Sequence, residues 1–339
     1  MRVNFRLKFA NVILACILLA GASCVSAQQK PQWLPGQIGL NAGILPSPGF
    51  TYVNITENYD AGTFNGPKGN AIPVTGTYNV WAVENLFYYV PNFKLLGGNV
   101  GFNIMFPTPA TGSLVADINI QGITNLGAAG GGSGLADLWI QPFTIGWHLT
   151  RWDVQVGDAF MVPTGRYSPG ATNNVGSGYF GNHLQTGTTY YITKNKGTSA
   201  NLFTDWEVHG SRSGTNNTSK TPGQAFTMEW GVGQVLPVKK DLSQLLQLGV
   251  VGYDQWQVTD NGGTVSVAGI PVPARIIPQY SVHAVGGQLN YILPAKNFSL
   301  FFKGYHEYSA SSHTLGTTFC FGGAWTLLIP KPKPAAPKS

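Results

Sequence analysis

Runs of about ten residues in which apolar and polar side chains alternate constrain the fold of this chain more than any other feature. In residues 298–308, one face carries Phe298, Leu300 and Phe302, and the opposite face carries Ser299 and Lys303. Side chains on a strand point alternately to opposite faces, so this period of two predicts a β-strand. Similar runs recur along the chain, separated by clusters of Gly, Pro, Asn and Ser that favour turns. The pattern therefore predicts an all-β protein.

The same run predicts where such a strand lies. Its apolar face has aromatic residues at both ends, Phe298 and Tyr308. Ten steps of about 3.3 Å, tilted by about 40°, rise about 25 Å, the height of the apolar band between the aromatic girdles of an outer-membrane barrel. An apolar outside with a polar inside is the reverse of a soluble barrel. We therefore predict a transmembrane antiparallel β-barrel of the outer membrane of a Gram-negative bacterium.

Composition excludes the main alternatives. Only 10% of the 339 residues are charged, against about 25% in a soluble domain, so an ordinary water-facing surface cannot be built. The hydrophobic content of 43% excludes a disordered chain. The net charge of +6 comes from three basic residues in 1–27 and three in 330–339, which leaves the body neutral and argues against nucleic acid as a partner.

The chain divides into four parts. Residues 1–27 combine a basic start, an apolar stretch and the small residues Val25-Ser26-Ala27, which predicts a signal peptide cleaved before Gln28; a lipoprotein attached at Cys24 is the alternative. An N-terminal segment (28–49), the barrel (50–329) and a Pro/Lys-rich tail (330–339) follow. The mature chain keeps only Cys320, so no disulfide is expected.

Thirteen candidate strands can be placed, with starts near residues 50, 77, 98, 113, 136, 153, 187, 199, 224, 245, 276, 298 and 314. Because single-chain bacterial barrels have an even number of strands, we predict 12, with 14 as the alternative. Gly127–Gly134 is predicted to be a loop or turn, since it lacks the Lys-Ser/Thr ending of a phosphate-binding loop. Pro142 interrupts the alternation in residues 135–149 and predicts a bulge there.

The inward faces of the predicted strands mix polar and aromatic side chains. Candidate lumen-lining residues are Asn103, Phe203, Asp205, Glu207, Glu229, Tyr253, Gln255, Phe301, Lys303, Tyr305 and Glu307. Stacking area combined with a few hydrogen bonds suits aromatic or amphipathic solutes better than ions. The alternative is that these side chains simply fill a closed barrel.

Signals for chemistry are sparse. His209-Gly210-Ser211 places a His and a Ser on one face of a strand end, as in a lipid-modifying barrel enzyme, but so short a match is expected by chance. The six histidines show no metal-ligand spacing. We therefore predict no catalytic residues, no metal site and no cofactor.

Three motifs carry a family resemblance: residues 45–50 (LPSPGF), the stretch from Gly134-Leu135-Ala136-Asp137 to Gly146-Trp147-His148, and residues 163–167 (PTGRY). In this order they resemble the SphA-like outer-membrane proteins, grouped in a family named for the meta-pathway of phenol degradation. The resemblance spans nearly the whole mature chain. It implies an outer-membrane barrel that moves hydrophobic or aromatic small molecules into the cell.

The resemblance brings no established functional residues. Asp137, His148 and Arg166 are marked only as members of its motifs, and their simplest roles are a turn-capping Asp, a girdle His and a loop Arg. The function predicted is a porin-like channel for passive uptake of hydrophobic or aromatic compounds. Its expected partners are outer-membrane lipid, those small molecules and the barrel-assembly machinery. The alternative is a non-transporting barrel with a structural or surface-binding role.

Overall fold

The computed structural model describes residues 31–120, 123–169, 171–212, 221–267 and 270–328. The predicted signal peptide (1–27) and tail (330–339) lie outside these residues. Within the described ranges, no helix is long and apolar enough to cross a membrane.

Sixteen strands occur in the described residues, with short 3-10 turns at Ala274–Ile276 and Pro294–Lys296. The strands are β1 (Gly49–Phe64), β2 (Val74–Val90), β3 (Lys94–Leu95), β4 (Gly98–Ile120), β5 (Ile123–Gly134), β6 (Leu138–His148), β7 (Trp152–Val162), β8 (Gly181–Tyr191), β9 (Thr198–His209), β10 (Ala225–Pro237), β11 (Leu245–Gln257), β12 (Thr264–Val267), β13 (Ile270–Pro273), β14 (Ser281–Leu293), β15 (Phe298–Ser311) and β16 (Thr314–Leu328).

Twelve of these strands form the wall of a closed antiparallel barrel, in which β1 pairs with both β2 and β16. The other four lie outside the wall: β3 and β5 pair with β4, and β12 and β13 form a separate hairpin. The prediction of a 12-stranded transmembrane-type barrel is confirmed.

Two details of the strand assignment differ from expectation. The starts predicted near residues 98 and 113 belong to one strand, the 23-residue β4. The prediction of a loop at Gly127–Gly134 is wrong, since these residues lie in β5 and pair with β4. A glycine-rich strand is held in the sheet by its backbone hydrogen bonds. It therefore shows no alternation of side chains from which a strand could be predicted. The bulge predicted near Pro142 is confirmed by the register shift between Ile140 and Phe143.

The wall separates an apolar outside from a polar inside. On β15, Phe302 is 50% exposed and its neighbour Lys303 only 2%. On β9 the same contrast holds between Leu202, at 43%, and Phe203, at 2%. Side chains that point outward therefore form the apolar surface that a lipid-facing wall requires.

Residues 31–48, called here the inner segment, lie inside the barrel. Near the end that carries the long connections between strands, the side chain of Gln32 donates to the carbonyl of Tyr179. At the end with the short turns, Leu45 packs against Gly101 and Gly146, where an added Cβ would be 3.0 Å and 2.8 Å from its side chain. The inner segment thus runs down the lumen before the chain enters β1.

Candidate functional site

The inner segment has no strand or helix of its own, so its backbone groups need partners from the wall. Glu207 on β9 provides two acceptors: its Oε2 accepts from the backbone N–H of Gln32 at 2.7 Å, and its Oε1 from that of Trp33 at 3.2 Å. Hydrogen bonds to a charged acceptor are stronger than neutral ones. Glu207 therefore holds the upper part of the inner segment.

Glu229 on β10 binds the next part of the segment. Its Oε1 accepts from Trp33 Nε1 at 2.9 Å, and its Oε2 accepts from the N–H groups of Ile38 at 2.9 Å and Gly39 at 3.0 Å. One fully buried carboxylate thus satisfies three donors of the inner segment.

Lys303 on β15 supplies the complementary charge. Its Nζ donates to the carbonyls of Gly36 at 3.2 Å, Ile38 at 3.3 Å and Gln37. Gly36 has φ +97° and lies so close to Tyr305 that an added Cβ would be 2.8 Å from the ring. Only glycine combines this backbone conformation with this close approach at low cost.

Amide and hydroxyl side chains of the wall bind the lower part of the segment. The pairs are Leu40 N to Gln288 Oε1 (2.9 Å), Asn41 N to Asn201 Oδ1 (2.9 Å), Gly43 N to Thr189 Oγ1 (3.0 Å) and Gln155 Nε2 to Ala42 O (2.7 Å). The inner segment is therefore a specifically bound plug.

On one side of the lumen, buried side chains of the wall pack against the plug. Leu40 packs with Val251, Tyr253 and Tyr305 in a buried cluster on β11 and β15. The hydroxyl of Tyr253 donates to Glu307 at 2.9 Å.

The opposite side contains two cavities. The upper cavity, of about 850 Å³ including its open mouth, has mainly apolar walls such as Leu34, Tyr78 and Met161. The lower cavity is smaller and is lined by aromatic and carboxamide side chains. These include Trp139, Phe203, Asn103, Gln141 and Gln185.

Trp33, Gln37 and Met105 line both cavities and therefore separate them. The indole of Trp33 lies between Trp139 and Phe203, with ring centroids 5.5 Å and 5.2 Å apart. The hydrogen bond from Trp33 Nε1 to Glu229 also fixes the orientation of the indole ring. We call these three residues the constriction.

The charged side chains that line the two cavities are acidic. Glu84 and Asp137 line the upper cavity, and no described residue lining either cavity is Lys or Arg. Glu84 is buried and accepts from Gln37 Nε2 at 2.7 Å.

Asp137 anchors the loop above the upper cavity. Its carboxylate accepts from the N–H groups of Gly165 at 2.9 Å and Ser177 at 2.7 Å, and from the Ser177 hydroxyl. Burial raises the pKa of this carboxyl, and the hydrogen bonds oppose the shift. The contacts correspond to the turn-capping role of an Asp at this position.

The other two motif residues lie at the surface. His148 is exposed, and its Nδ1 lies 3.1 Å from Asp153. Arg166 is exposed and donates to the carbonyls of Asn173 and Ser133. Neither lines the two cavities.

The eleven candidate lumen residues all lie on inward faces of the wall. All are buried except Phe301, which is half-buried with its ring 5.3 Å from Lys303 Nζ. Most of them contact the plug or pack beside it, while Asn103 and Phe203 line the lower cavity.

The sequence did not predict the plug, Glu84 or the constriction formed by Trp33, Gln37 and Met105. Residues 31–48 have no periodic pattern, so they resemble a linker. The available signal was the pair of inward carboxylates at Glu207 and Glu229, which need donors inside a barrel.

The His209–Ser211 pair does not form a catalytic arrangement. His209 Nδ1 donates to the carbonyl of Gly223 at 2.9 Å, and its Nε2 lies 3.0 Å from Glu207. The hydroxyl of Ser211 pairs instead with Thr221 at 2.7 Å. The imidazole is thus engaged away from the Ser.

An apolar-outside closed barrel with a plug in its lumen defines an outer-membrane-type β-barrel. The chain belongs to the family described as "Putative MetA-pathway of phenol degradation", whose model matches residues 61–321. The resemblance seen in the sequence is confirmed. The comparison with curated proteins gives no match.

The chain shares its fold with a solved outer membrane channel and is more distantly similar to two autotransporter domains. An outer membrane channel from Pseudomonas putida F1 is similar with a TM-score of 0.65 at 12% identity, covering 87% of this chain and 100% of that one. The β domain of the Bordetella autotransporter BrkA has a TM-score of 0.47 at 9% identity, covering 83% and 100%. The transport unit of the Escherichia coli autotransporter AIDA-I has a TM-score of 0.44 at 11% identity, covering 91% and 97%.

Proposed function

We propose that this protein is a passive outer-membrane channel for neutral hydrophobic or aromatic small molecules, which pass between the plug and the part of the wall formed by β1, β2, β4 and β6 to β9. The observation that carries the proposal is the pair of cavities between which Trp33, Gln37 and Met105 lie, the described residues that line both. A small movement of this constriction joins the two cavities into one route.

The chemistry of the route supports this class of solute. Apolar walls above and aromatic rings below bury a flat ring, while Asn103, Gln141 and Gln185 offer hydrogen bonds to a hydroxyl group. Glu84 and Asp137 disfavour carboxylate solutes at the entrance. A phenol-like molecule fits these features better than a fatty acid anion or a sugar.

The remaining parts of the proposal concern location and partners. We propose that the signal peptide directs export, that the barrel-assembly machinery inserts the barrel, and that its apolar outer face contacts outer-membrane lipid. Membership of a family named for phenol degradation favours aromatic solutes. We propose no catalytic role for the barrel, because His209 and Ser211 each bind other partners.

Uptake of radiolabelled phenol, a long-chain fatty acid and a small sugar, in cells with and without the protein, tests the proposal. We expect faster entry of phenol only. Equal rates in both strains for all three solutes would contradict it.

A second candidate, a non-transporting barrel with a structural or surface-binding role, is favoured by one observation. The plug is bound by carboxylates, Lys303 and several amides, which holds the lumen closed on one side. Equal uptake rates would move this candidate to first place.

A further inference from the structure

A buried cluster outside the solute route combines one imidazole with two carboxylates. His183 on β8 pairs directly with Glu207 on β9, and Asp205 lies two residues from Glu207 on the same inward face. All three side chains are fully buried. One possible ligand atom from each lies within 4.8 Å of those of the other two.

The hydrogen bonding of His183 leaves one ring nitrogen available. Its Nδ1 lies 3.0 Å from Asp205 Oδ2 and donates to this carboxylate, which accepts only. The neutral imidazole then carries its lone pair on Nε2. This atom is buried and has no hydrogen-bond partner. A carboxylate on the other ring nitrogen is the usual arrangement of a metal-binding histidine.

A second unpartnered atom lies beside it. Gln32 Oε1, from the plug, is also buried without a partner. Both atoms face Gly181, where an added Cβ would be 3.2 Å from His183 Nε2 and 1.7 Å from Gln32 Oε1. The backbone N–H of Gln32 binds Glu207, so the carboxylate lies next to the same place.

The negative charge of the two carboxylates in the cluster also favours binding of a cation. Asp205 and Glu207 are both buried, and each has a histidine nitrogen at 3.0 Å. A histidine is charged only when protonated, and buried carboxylates without compensation are costly. One nitrogen with carboxylate and amide oxygens is a donor set that binds zinc and related divalent ions.

We propose that this cluster binds a divalent transition-metal ion, through His183 Nε2, the Glu207 carboxylate and Gln32 Oε1, with Asp205 orienting the imidazole. The sequence analysis predicted no metal site, because the ligands are brought together only by strand pairing and by the plug. Since Gln32 belongs to the plug, the ion fastens the plug to the wall. The inference does not depend on which solute the channel carries.

Zinc titration of the purified, chelator-treated protein by calorimetry tests the site. We expect one saturable ion per chain. Asp205→Asn should weaken binding about 10- to 100-fold, the usual cost of losing such an orienting partner. His183→Gln should abolish it. His283→Gln is the matched control, because His283 forms the same kind of contact with Asp254, at 2.7 Å, away from this cluster.

A second measurement keeps the test independent of folding defects. Zinc should slow protease cleavage of the plug in the wild type and in His283→Gln, but not in Gln32→Ala, in which the two wall ligands His183 and Glu207 remain. Folding of each variant is checked by its heat-dependent gel mobility. Absence of saturable binding in the wild type, or equal affinity in His183→Gln and His283→Gln, would overturn the proposal and leave a metal-free histidine–carboxylate network.

Discussion

Replacing Trp33 by Ala is expected to loosen the plug and open the constriction. The indole loses a hydrogen bond to the Glu229 carboxylate, worth about 1.5–3 kcal/mol, and aromatic contacts worth about 0.5–1.5 kcal/mol each. The total agrees with the 3–5 kcal/mol, roughly, that a buried Trp→Ala change costs. This energy raises the ratio of unseated to seated plug by about two to four orders of magnitude.

Single-channel conductance in planar bilayers measures the effect. Trp33→Ala should show larger and more frequent openings than the wild type. Trp33→Phe keeps the ring between Trp139 and Phe203 but loses the bond to Glu229, so its openings should be intermediate. Trp230→Phe is the matched control, since Trp230 Nε1 donates to Asp254 at 3.0 Å on the outward side of the wall.

The reasoning would be refuted if Trp33→Ala folded normally and conducted like the wild type. That result would mean that Trp33 does not limit passage between the two cavities. An equal gain in Trp230→Phe would point instead to a general weakening of the barrel.

Three further changes have expected outcomes. Glu229→Gln places an amide NH₂ group opposite N–H donors of the plug. Each hydrogen bond to the carboxylate that is lost should destabilise the seated plug by about 1.5–3 kcal/mol, which protease cleavage of residues 31–48 would show as a faster rate. Gly36→Ala adds a Cβ at positive φ against Tyr305 and should destabilise the seated plug by about 1–3 kcal/mol, seen in the same cleavage assay. Asp137→Ala removes the acceptor of two loop N–H groups, so cleavage within residues 163–180 should increase.

The wall of the barrel could be predicted because its physics is local. On β15 each apolar outward residue, such as Phe302, is followed by an inward one, such as Lys303. This alternation can be recognised from the sequence of the strand alone, without knowing which strands pair with it. The exception is β5, whose Gly127–Gly134 stretch carries no side-chain period and pairs through its backbone.

The plug could not be predicted because its order comes from distant partners. Trp33 is held by Glu207 and Glu229, 174 and 196 residues away along the chain. No local pattern in residues 31–48 encodes these contacts. The cluster of His183 and Glu207 could not be predicted for the same reason, because these residues lie opposite each other only after β8 and β9 pair.

Photolabelling with a diazirine-bearing phenol, followed by mass spectrometric mapping, tests most directly whether solutes pass beside the plug. Labels are predicted on Trp33, Met105 and Met161 around the two cavities, and excess phenol should compete them away. Labels confined to outward residues such as Leu202 and Phe302, or labels in the cavities that phenol does not displace, would contradict the proposed route.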